Sequence, residues 1–581
     1  MNENNDGVVS RRQWVGAVSA SIAAAAIGQA IGANATAGAP IPQPPASDLL
    51  SGARVYNIRD FGAKGDGVTL DTAAVQAAID ACTNDQGGTV LVPAGVFVTG
   101  TIELKSNVTL HIAAAGKLLG SGDGKQYHAV QAIPLTGDST LADGNVAHLF
   151  AVDALNVTVE GPGIIDGQGA LFHSARRGMT PPSGIGGSHR PYSMLFYRCR
   201  NLTIRDVQVL DSAFHAIRII QSTYVRADGI HIHSRVNGNN DGFHFISAQH
   251  VNVSNCNVES QDDACALFGT CEYVTITNCS FSTRWSVFRF GGGNVKNIAV
   301  SNCLIYECFG CPIKIRCGPG SVFENMSFSN LVMENVTGPI SIGLGPSKPR
   351  QRSATEPATA PSSESEALGN RPAVLRRISF SNIRATVPST PEQLPGTTLT
   401  SEYRGGEIRS CIALNGVGGR YLEDVSFNDV HVTYGGGGTA EEAARRDIAP
   451  YAGEYFELGT LPAYGLYARN VRGLTLRDVR FEVIDADLRP AIVFDHVEDA
   501  AINGLSVQGN PNSESALRFI DSKDTLLTAA RLLTPAPVFL RVEGAESNSI
   551  IVDGGDFSKA ATSLAFAAGT DEKAVKMRGQ S

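Results

Sequence analysis

The chain has 581 residues, of which 43% are hydrophobic, 18% are charged and 62 are glycine. This composition excludes disorder, collagen and coiled coil for most of the chain, because hydrophobic content is high, glycine has no three-residue period and heptads are absent. The formal net charge of −9 argues against a nucleic acid or an anionic membrane as partner, since both require a concentrated basic surface.

Residues 1–35 are typical of a bacterial export signal. Arg11 and Arg12 precede a weakly apolar run rich in alanine and glycine, and small residues near Ala35 offer a cleavage site. This order favours the twin-arginine (Tat) route and a periplasmic or extracellular location, and an uncleaved membrane anchor is the alternative. Residues 36–53 are then a linker, and we expect no membrane span after signal removal.

One amphipathic helix is predicted after residue 70. Asp71 stands at the N-cap position, and apolar side chains follow at spacings of three and four residues. The apolar stripe consists of Ala74, Val75, Ala78, Ile79 and Cys82. Such a helix would cover the open end of a repetitive β-structure, where unpaired strand edges invite aggregation.

A unit of the form apolar-x-apolar-x-Asn/Asp-apolar-x-apolar then returns nine times. Its Asn or Asp is Asp206, Asp228, Asn255, Asn278, Asn302, Asn330, Asn382, Asp429 and Asp478. The early intervals are 22 to 28 residues and the last three are 47 to 52. Alternating apolar residues predict short half-buried strands, and an Asn between two strands tolerates the left-handed backbone conformation.

Units of about 23 residues cannot bury their own apolar faces, so successive coils must stack about 4.8 Å apart. The predicted fold is therefore all-β, a single-stranded parallel β-helix with an N-terminal capping helix. We expect it to span residues 54–510, with an exposed Pro- and Ser-rich insertion loop at 346–372. Residues 511–581 would finish or cap the same domain. Leucine-rich repeats and propeller blades fit these spacings less well.

Eleven cysteines, an odd number, include no paired zinc pattern. Cys256, Cys279 and Cys303 each follow the repeated Asn directly. Stacked, buried thiols are therefore preferred over disulfides.

Three aspartates are the main candidates for catalysis. Asp262 and Asp263 follow Asp241 by 21 and 22 residues, about one coil, so we expect all three on the same side of neighbouring coils. Neighbouring acids repel, so at least one should hold a proton near neutral pH. Inverting glycoside hydrolysis needs such a set, with an acid for the leaving oxygen and a base for water. Turn formation is the alternative role.

Cationic residues follow one and two coils further on. Arg289 belongs to the first of these coils, and Lys314 and Arg316 are two apart on the next strand, so both face the same way. Because they lie beside three acidic side chains, these cationic residues could bind a substrate carboxylate. The alternative is that they only balance the negative charges on a solvent-exposed face. Trp285 could stack on a sugar face or pack in the core or rim.

These motifs resemble glycoside hydrolase family 28, the polygalacturonase-like pectin hydrolases of the pectin lyase-like superfamily. The segment 56–80 resembles the N-terminal cap of that family, Asn239-Asn240-Asp241 its Asn-Thr-Asp motif and Asp262-Asp263 its Asp-Asp motif. The resemblance covers residues 54 to 510. It implies a right-handed helix, an inverting mechanism and no metal or other cofactor. It also implies Asp262 as general acid, with Asp241 and Asp263 positioning and deprotonating water.

Two positions depart from the family pattern. Its Gly-His-Gly motif should fall near Trp285-Ser286-Val287, where no His stands, and its Arg-Ile-Lys motif is reversed as Lys314-Ile315-Arg316. The reversal keeps both positive charges. It places the compact ammonium of Lys314 where the family has a planar guanidinium, and the guanidinium of Arg316 where the family has an ammonium. Arg289, His244 or His215 could replace the missing imidazole, and each is equally compatible with a structural role.

The sequence thus predicts an exported, monomeric glycoside hydrolase acting on acidic or rhamnose-containing plant polysaccharide of the pectin or rhamnogalacturonan type. A lyase or epimerase acting on uronates is a second hypothesis, with Ca²⁺ on the three aspartates and Lys314 or Arg316 as the base. A non-catalytic carbohydrate-binding β-helix protein is a third. The predicted substrate-binding residues are Asn239, His244, Trp285, Arg289, Lys314 and Arg316.

Overall fold

The computed structural model describes residues 54–133, 145–172, 190–348, 371–390 and 407–579. The predicted export signal, the linker and residues 349–370 of the predicted insertion loop lie outside these ranges. Within them, no helix is long and apolar enough to cross a membrane.

The N-terminal part contains one long helix and ten strands. They are β1 (Val55–Asn57), β2 (Asp66–Leu70), α1 (Thr72–Asn84), β3 (Gly88–Val92), β4 (Gly95–Thr99), β5 (Ile102–Glu103), β6 (Val108–Ile112), β7 (Gly116–Gly120), β8 (Ala147–Val152), β9 (Leu155–Glu160) and β10 (Ile164–Asp166). Short 3₁₀ helices occupy Ile58–Phe61, Gly124–Gln126 and Gly169–Leu171.

The middle part consists of strands alone. They are β11 (Tyr192–Tyr197), β12 (Arg200–Arg205), β13 (Gln208–Leu210), β14 (Ile217–Ile220), β15 (Thr223–Asp228), β16 (His231–Ser234), β17 (Phe243–Ile246), β18 (Gln249–Ser254), β19 (Asn257–Ser260), β20 (Cys265–Phe268), β21 (Cys271–Thr277), β22 (Ser280–Thr283), β23 (Phe288–Gly291), β24 (Asn294–Cys308), β25 (Ile313–Cys317), β26 (Val322–Val336) and β27 (Ile340–Leu344).

The C-terminal part adds twelve strands and two short helices. They are β28 (Val374–Val387), β29 (Ile412–Gly416), β30 (Leu422–Tyr434), α2 (Ala440–Ala444), α3 (Tyr455–Leu458), β31 (Leu466–Val483), β32 (Ile492–Asn503), β33 (Ser506–Val507), β34 (Leu517–Ile520), β35 (Lys523–Leu532), β36 (Ala536–Glu543), β37 (Asn548–Asp556), β38 (Ala560–Ala567) and β39 (Val575–Arg578). A 3₁₀ helix occupies Glu572–Ala574.

Each coil from β11 to β22 consists of three strands, and each strand pairs in parallel with its equivalent in the next coil. Thus β14 pairs with β17, β15 with β18 and β16 with β19. In later coils the second and third strands join into one, as in β24 and β26, which pair over most of their length. The predicted parallel β-helix is confirmed, and the stack continues through β34, β36 and β38 beyond residue 510.

Inward side chains of equivalent strands form continuous apolar columns. Along the first strand of each coil, the column reads Ile217, Phe243, Cys265, Phe288 and Ile313, all fully buried. Further along, the rings of Phe328, Phe380 and Phe427 stack with centroid separations of 5.2 and 4.9 Å. Each coil therefore buries its apolar face only against its neighbours, as the repeat requires.

The left-handed conformation predicted for the repeated Asn or Asp forms with one exception, and we call these stacked residues the ladder. Eight of the nine residues have the left-handed backbone, with φ between 50° and 62°. Asn330 donates to Asn302 at 3.0 Å and accepts from Asn382 at 2.9 Å. The prediction is wrong for Asp228, which pairs in the strand with Arg205, while the following Gly229 takes the left-handed conformation at φ 66°.

The eleven cysteines are all buried and free, which agrees with the thiol interpretation. Cys256, Cys279 and Cys303 lie one above another in successive coils, and the Cys256 amide donates to the Cys279 sulfur at 3.4 Å. They pack as small apolar side chains in the core.

Helix α1 begins at Thr72 and closes the N-terminal end of the coil, as predicted. Its buried face consists of Val75, Ala78, Ile79 and Cys82. Asp71 stands at the N-cap but forms no side-chain bond to the helix. Its carboxylate instead accepts from the amides of Lys64 and Gly65, at 2.7 and 3.0 Å, so it fixes the preceding loop.

The three long intervals of the repeat are single coils with an excursion. Asn330 and Asn382, 52 residues apart, lie in strands that pair directly, and the same holds for Asp429 and Asp478. The extra residues fall between consecutive strands at 345–373, 388–411 and 435–465, of which the structure describes 345–348, 371–373, 388–390, 407–411 and 435–465. The last two excursions leave between the third strand of one coil and the first strand of the next.

Candidate active site

The three predicted catalytic aspartates lie at that same junction in two successive coils. Asp241 precedes β17, and Asp262 and Asp263 precede β20. The Gly242 amide donates to the Asp263 carbonyl at 3.0 Å, and the Asp262 amide donates to the Asn240 carbonyl at 3.1 Å, so the two coils are in direct register. We call Asp241, Asp262 and Asp263 the acidic corner.

Local packing fixes the backbone of the acidic corner. A Cβ at Gly242 would lie 2.5 Å from the Ala264 carbonyl oxygen, so the coils approach this closely only with glycine here. The Asn240 side chain donates to the carbonyls of Ser212 and Phe214, both at 2.8 Å, and accepts from the Asn237 amide. Asn240 therefore ties the corner to the preceding coil.

Asp241 is buried between two histidines. Its carboxylate lies 2.7 Å from His244 Nδ1 and 3.5 Å from His215 Nε2. The two imidazoles stack at 4.4 Å with an interplanar angle of 18°, and His244 stacks on Phe268 at 5.2 Å. Burial lowers the pKa of His215 well below its usual value, so this imidazole is neutral. The pair holds the Asp241 carboxylate in one orientation.

Burial raises the pKa of all three aspartates, and their mutual repulsion raises each further. The pKa of Asp262 rises to about 7, with the charge of Asp241 as the second cause, and that of Asp263 rises to about 6, with Asp262 as the second cause. The pKa of Asp241 lies well above its usual value, raised by burial and then by Asp263. Near neutral pH the corner therefore contains both a proton donor and a proton acceptor.

Asn239 contacts the corner from the outside. It is exposed, has a left-handed backbone with φ 57°, and its amide lies 3.4 Å from the Asp262 carboxylate. The structure thus brings Asn239 and His244, both predicted to bind substrate, next to the acids.

One histidine and aspartate group could hold a metal ion by its chemistry. Among the described residues, His215, Asp241 and His244 have ligand atoms within 4.8 Å of one another. Because His244 and Asp241 are already hydrogen-bonded to each other, these side chains act as partners within the protein. The three aspartates do not form a group of this kind, so the Ca²⁺ ligand set of the lyase hypothesis does not assemble in the described residues.

Arg289 and Lys314 lie beside the acidic corner on adjacent first strands. They occupy the same position of β23 and β25 and point away from the core. Their charges lower the pKa values of Asp262 and Asp263, which opposes the larger effect of burial. Lys314 Nζ also lies 4.1 Å from the centroid of the Trp285 ring.

Both cations are paired with a residue that the sequence did not indicate. Glu454, in the excursion at 435–465, lies 3.0 Å from Lys314 Nζ and 3.2 Å from Arg289. Burial raises the pKa of Glu454, but the charges of Lys314, Arg289 and Arg316 outweigh it and lower the pKa to about 2. We call Arg289, Lys314 and Glu454 the ion-pair cluster.

Arg316 faces a separate recess. Its guanidinium donates to the carbonyls of Ile315 and Ser341 and to the Ser341 hydroxyl, at 3.1 to 3.3 Å. It lines a cavity of about 330 Å³ together with Phe268, Gly343 and Ala452. Although Lys314 and Arg316 share a strand face as predicted, they have different partners.

The histidine of the family's Gly-His-Gly motif corresponds to Ser286. Ser286 has the same position in its coil as Asp263 has in the preceding coil. The Ala264 amide donates to the Ser286 carbonyl at 2.8 Å, which puts a hydroxyl where the resemblance expects an imidazole. The imidazoles of this site stand at His215, one coil before Asp241, and at His244, which follows Asp241 on β17. The roles predicted for the three aspartates and the substrate-binding residues stay predictions.

Comparison with known proteins identifies related sequences. Residues 82–359 match Glycosyl hydrolases family 28. The chain is 32% identical over 251 residues to an exo-poly-alpha-D-galacturonosidase of Dickeya chrysanthemi, covering 36% of this chain and 41% of that protein. It is 27% identical over 308 residues to an exopolygalacturonase of Platanus acerifolia, covering 50% of this chain and 75% of that protein.

Solved structures support the fold. An exopolygalacturonase from Thermotoga maritima aligns with a TM-score of 0.54 and 20% identity over 76% of this chain and 93% of that chain. A family 28 exopolygalacturonase from Yersinia enterocolitica aligns with a TM-score of 0.54 and 19% identity over 78% of both chains. At these identities the likeness shows the fold, a right-handed parallel β-helix.

Proposed function

We propose that this protein, whose residues 82–359 match glycosyl hydrolases family 28, hydrolyses glycosidic bonds in pectic polysaccharide by an inverting mechanism. One observation carries the proposal. Adjacent coils bring Asp241, Asp262 and Asp263 to one corner, and burial with mutual repulsion keeps at least one of them protonated near neutral pH. Inversion needs a protonated acid and an ionised base at one site.

The pKa order supports a role for each carboxyl group. Asp262, with the pKa of about 7, protonates the leaving oxygen, and Asp263, with the pKa of about 6, removes a proton from the attacking water. Asp241 positions that water, because His244 and His215 fix its carboxylate from two sides.

The substrate class is supported by the relatives. Proteins named exo-poly-alpha-D-galacturonosidase and exopolygalacturonase match this chain at 32% and 27% identity. We propose a pectin type of substrate on this basis, and the sequence prediction adds rhamnogalacturonan as a second pectic substrate.

The test incubates the purified protein with pectin and rhamnogalacturonan fragments, measures new reducing ends and identifies products by mass spectrometry. Proton NMR of the first product gives its anomeric configuration, which must be opposite to that of the substrate. Asp262→Asn should abolish release, whereas Asp228→Asn, the same change away from the corner, should not. Products with unsaturated-uronate ultraviolet absorbance would instead identify a lyase.

We also propose export by the Tat route, based on Arg11, Arg12 and the apolar run that follows. Fusing residues 1–53 to a reporter that folds before export tests this directly. Export that persists after replacement of both arginines by lysine would contradict the route.

A further inference from the structure

We propose that Glu454 is a specificity-determining residue, and that the sugar unit beside Arg289 and Lys314 carries no charge. This inference rests on the proposed function, because it concerns the substrate of the same site. The cations predicted to bind a substrate carboxylate already bind one that the protein supplies. The substrate unit is therefore either a neutral sugar or a methyl-esterified uronate, and a free uronate is rejected at this position.

The first argument is charge. Lys314 is 1% exposed, and its ammonium lies 3.0 Å from one oxygen of Glu454, while Arg289 lies 3.2 Å from the other oxygen. A substrate carboxylate at the same two cations would stand within a few ångströms of the Glu454 carboxylate. Like charges at such separations in a largely desolvated site repel strongly. The nearby acidic corner adds to this repulsion.

The second argument is that Glu454 is fixed in its position. The next residue, Tyr455, is buried, and its hydroxyl lies 2.7 Å from the Gly338 carbonyl oxygen and 3.1 Å from that of Cys411. The Glu454 amide donates to the Glu457 side chain at 2.8 Å. Ala452 also donates to the Pro346 carbonyl at 2.8 Å. These contacts fix the backbone at Glu454, which keeps its carboxylate within reach of both cations.

The third argument concerns the remaining nearby cation. Arg316 donates through Nη1 and Nη2 to oxygens of Ile315 and Ser341. Ile315 belongs to the same coil as Arg316, and Ser341 belongs to the next coil. Its charge also contributes to the low pKa of Glu454. Each of the three cations predicted to bind a carboxylate therefore has a partner in the described residues.

The test compares ligands that differ in charge and in the methyl groups of the ester. Trigalacturonate and its full methyl ester are titrated at pH 7 into Asp262→Asn protein, which prevents turnover. We expect the ester to bind at least about tenfold more tightly than the free acid, and the ratio to shrink as salt is added. Glu454→Gln, which keeps the size and the hydrogen-bonding ability, should remove this preference in the same background.

Glu457→Gln is the matched control. It removes one acid from the same excursion, while glutamine can still accept the Glu454 amide bond, so the tenfold ratio should persist. A rhamnose-ended rhamnogalacturonan fragment forms the second arm. If it binds more tightly than methyl trigalacturonate, the unit is a neutral sugar, and the reverse order identifies an esterified uronate.

Equal or tighter binding of trigalacturonate to protein with Glu454 intact would overturn the inference, and so would a ratio unaffected by Glu454→Gln. Should that variant fail to fold, the ratio measured with Glu454 intact and its salt dependence decide alone. Turnover by the unmodified protein separates the two proposals. Hydrolysis that prefers free acid overturns the charge selection only, whereas charge-selective binding without hydrolysis of any fragment overturns the proposed function only.

Discussion

The acidic corner and the ion-pair cluster are neighbours with opposite electrostatics. Burial alone raises the pKa of a carboxyl group in either place. At the corner, like charges add to burial, and the pKa of Asp262 reaches about 7. In the cluster, Lys314 and Arg289 overcome burial, and the pKa of Glu454 falls to about 2. The same side-chain chemistry thus yields a proton donor in one place and a permanent anion in the other.

The two regions also differ in how the chain builds them. The acidic corner consists of short turns between coils, so the repeat itself brings its residues together. The ion-pair cluster is completed by an excursion that returns Glu454 to a strand 140 residues earlier in the chain. The solenoid therefore supplies the proposed catalytic groups, and the excursion completes the proposed environment of the substrate.

The largest expected effect comes from removing the base of the corner. Asp263→Asn should lower the rate of hydrolysis by about 10²–10⁴-fold, since general acid–base catalysis contributes on that order. Initial rates on the preferred fragment measure this. Asp478→Asn makes the same chemical change at a ladder position and should leave the rate unaltered. Equal losses in both variants would contradict the role of Asp263.

A change in the cluster should act on stability. Lys314→Met leaves the buried Glu454 with a weaker set of partners, and we expect a loss of about 3–5 kcal/mol in the free energy of unfolding. Urea unfolding measures it. Arg384→Met removes an exposed ion pair with Asp429, whose side chains are 45% and 52% exposed, and should cost at most about 1 kcal/mol. Similar losses in the two variants would show that the cluster is not electrostatically distinct.

The pH dependence of hydrolysis should be bell-shaped and highest between about 6 and 7. Activity falls below about 6 because Asp263, with its pKa raised to about 6, gains a proton. It falls above about 7 because Asp262, with its pKa raised to about 7, loses the proton it must donate.

Asp241→Asn sharpens this prediction. It removes a negative charge that raises the pKa of Asp262, so the alkaline limb should move to lower pH. Rates measured across pH 4 to 9 test the shift, and Asp228→Asn is the control. An alkaline limb that stays in place would show that Asp241 does not act on Asp262 through charge.

The smallest effect is expected in the ladder, far from both regions. Asn330→Ala removes two amide contacts and places alanine in the left-handed conformation, which together should cost about 1–2 kcal/mol. Asn330→Gly loses the same contacts but tolerates φ 54°. A smaller loss for the glycine variant in urea unfolding separates the backbone contribution from the hydrogen bonds.

The structural features that follow from the repeat could be predicted from the sequence. Spacings near one coil length placed Asp241 beside Asp262 and Asp263, and the recurring Asn marked the left-handed turns. Helix α1 followed from its apolar stripe. These features depend on local patterns and on a constant coil length, both of which can be read along the chain.

Features that depend on a departure from the repeat could not be predicted. The contact of Glu454 with Lys314 joins residues 140 positions apart through an excursion without period. The only available signal was the 49-residue interval between Asp429 and Asp478, which shows that an excursion exists but not where it returns. At the second repeat, Gly229 rather than Asp228 corresponds to Asp206, because Asp228 pairs with Arg205 one position earlier, and at Asp71 a nearby loop competed for the capping carboxylate.

Trp285 provides this site with an intrinsic fluorescent reporter of ligand binding. The chain has two tryptophans, and the other is Trp14. After Trp14→Phe, all indole emission would originate beside the Lys314 ammonium, 4.1 Å from the ring centroid. A sugar that settles against this ring changes the polarity around it, so arrival and departure of a ligand could be timed by stopped-flow fluorescence without a label.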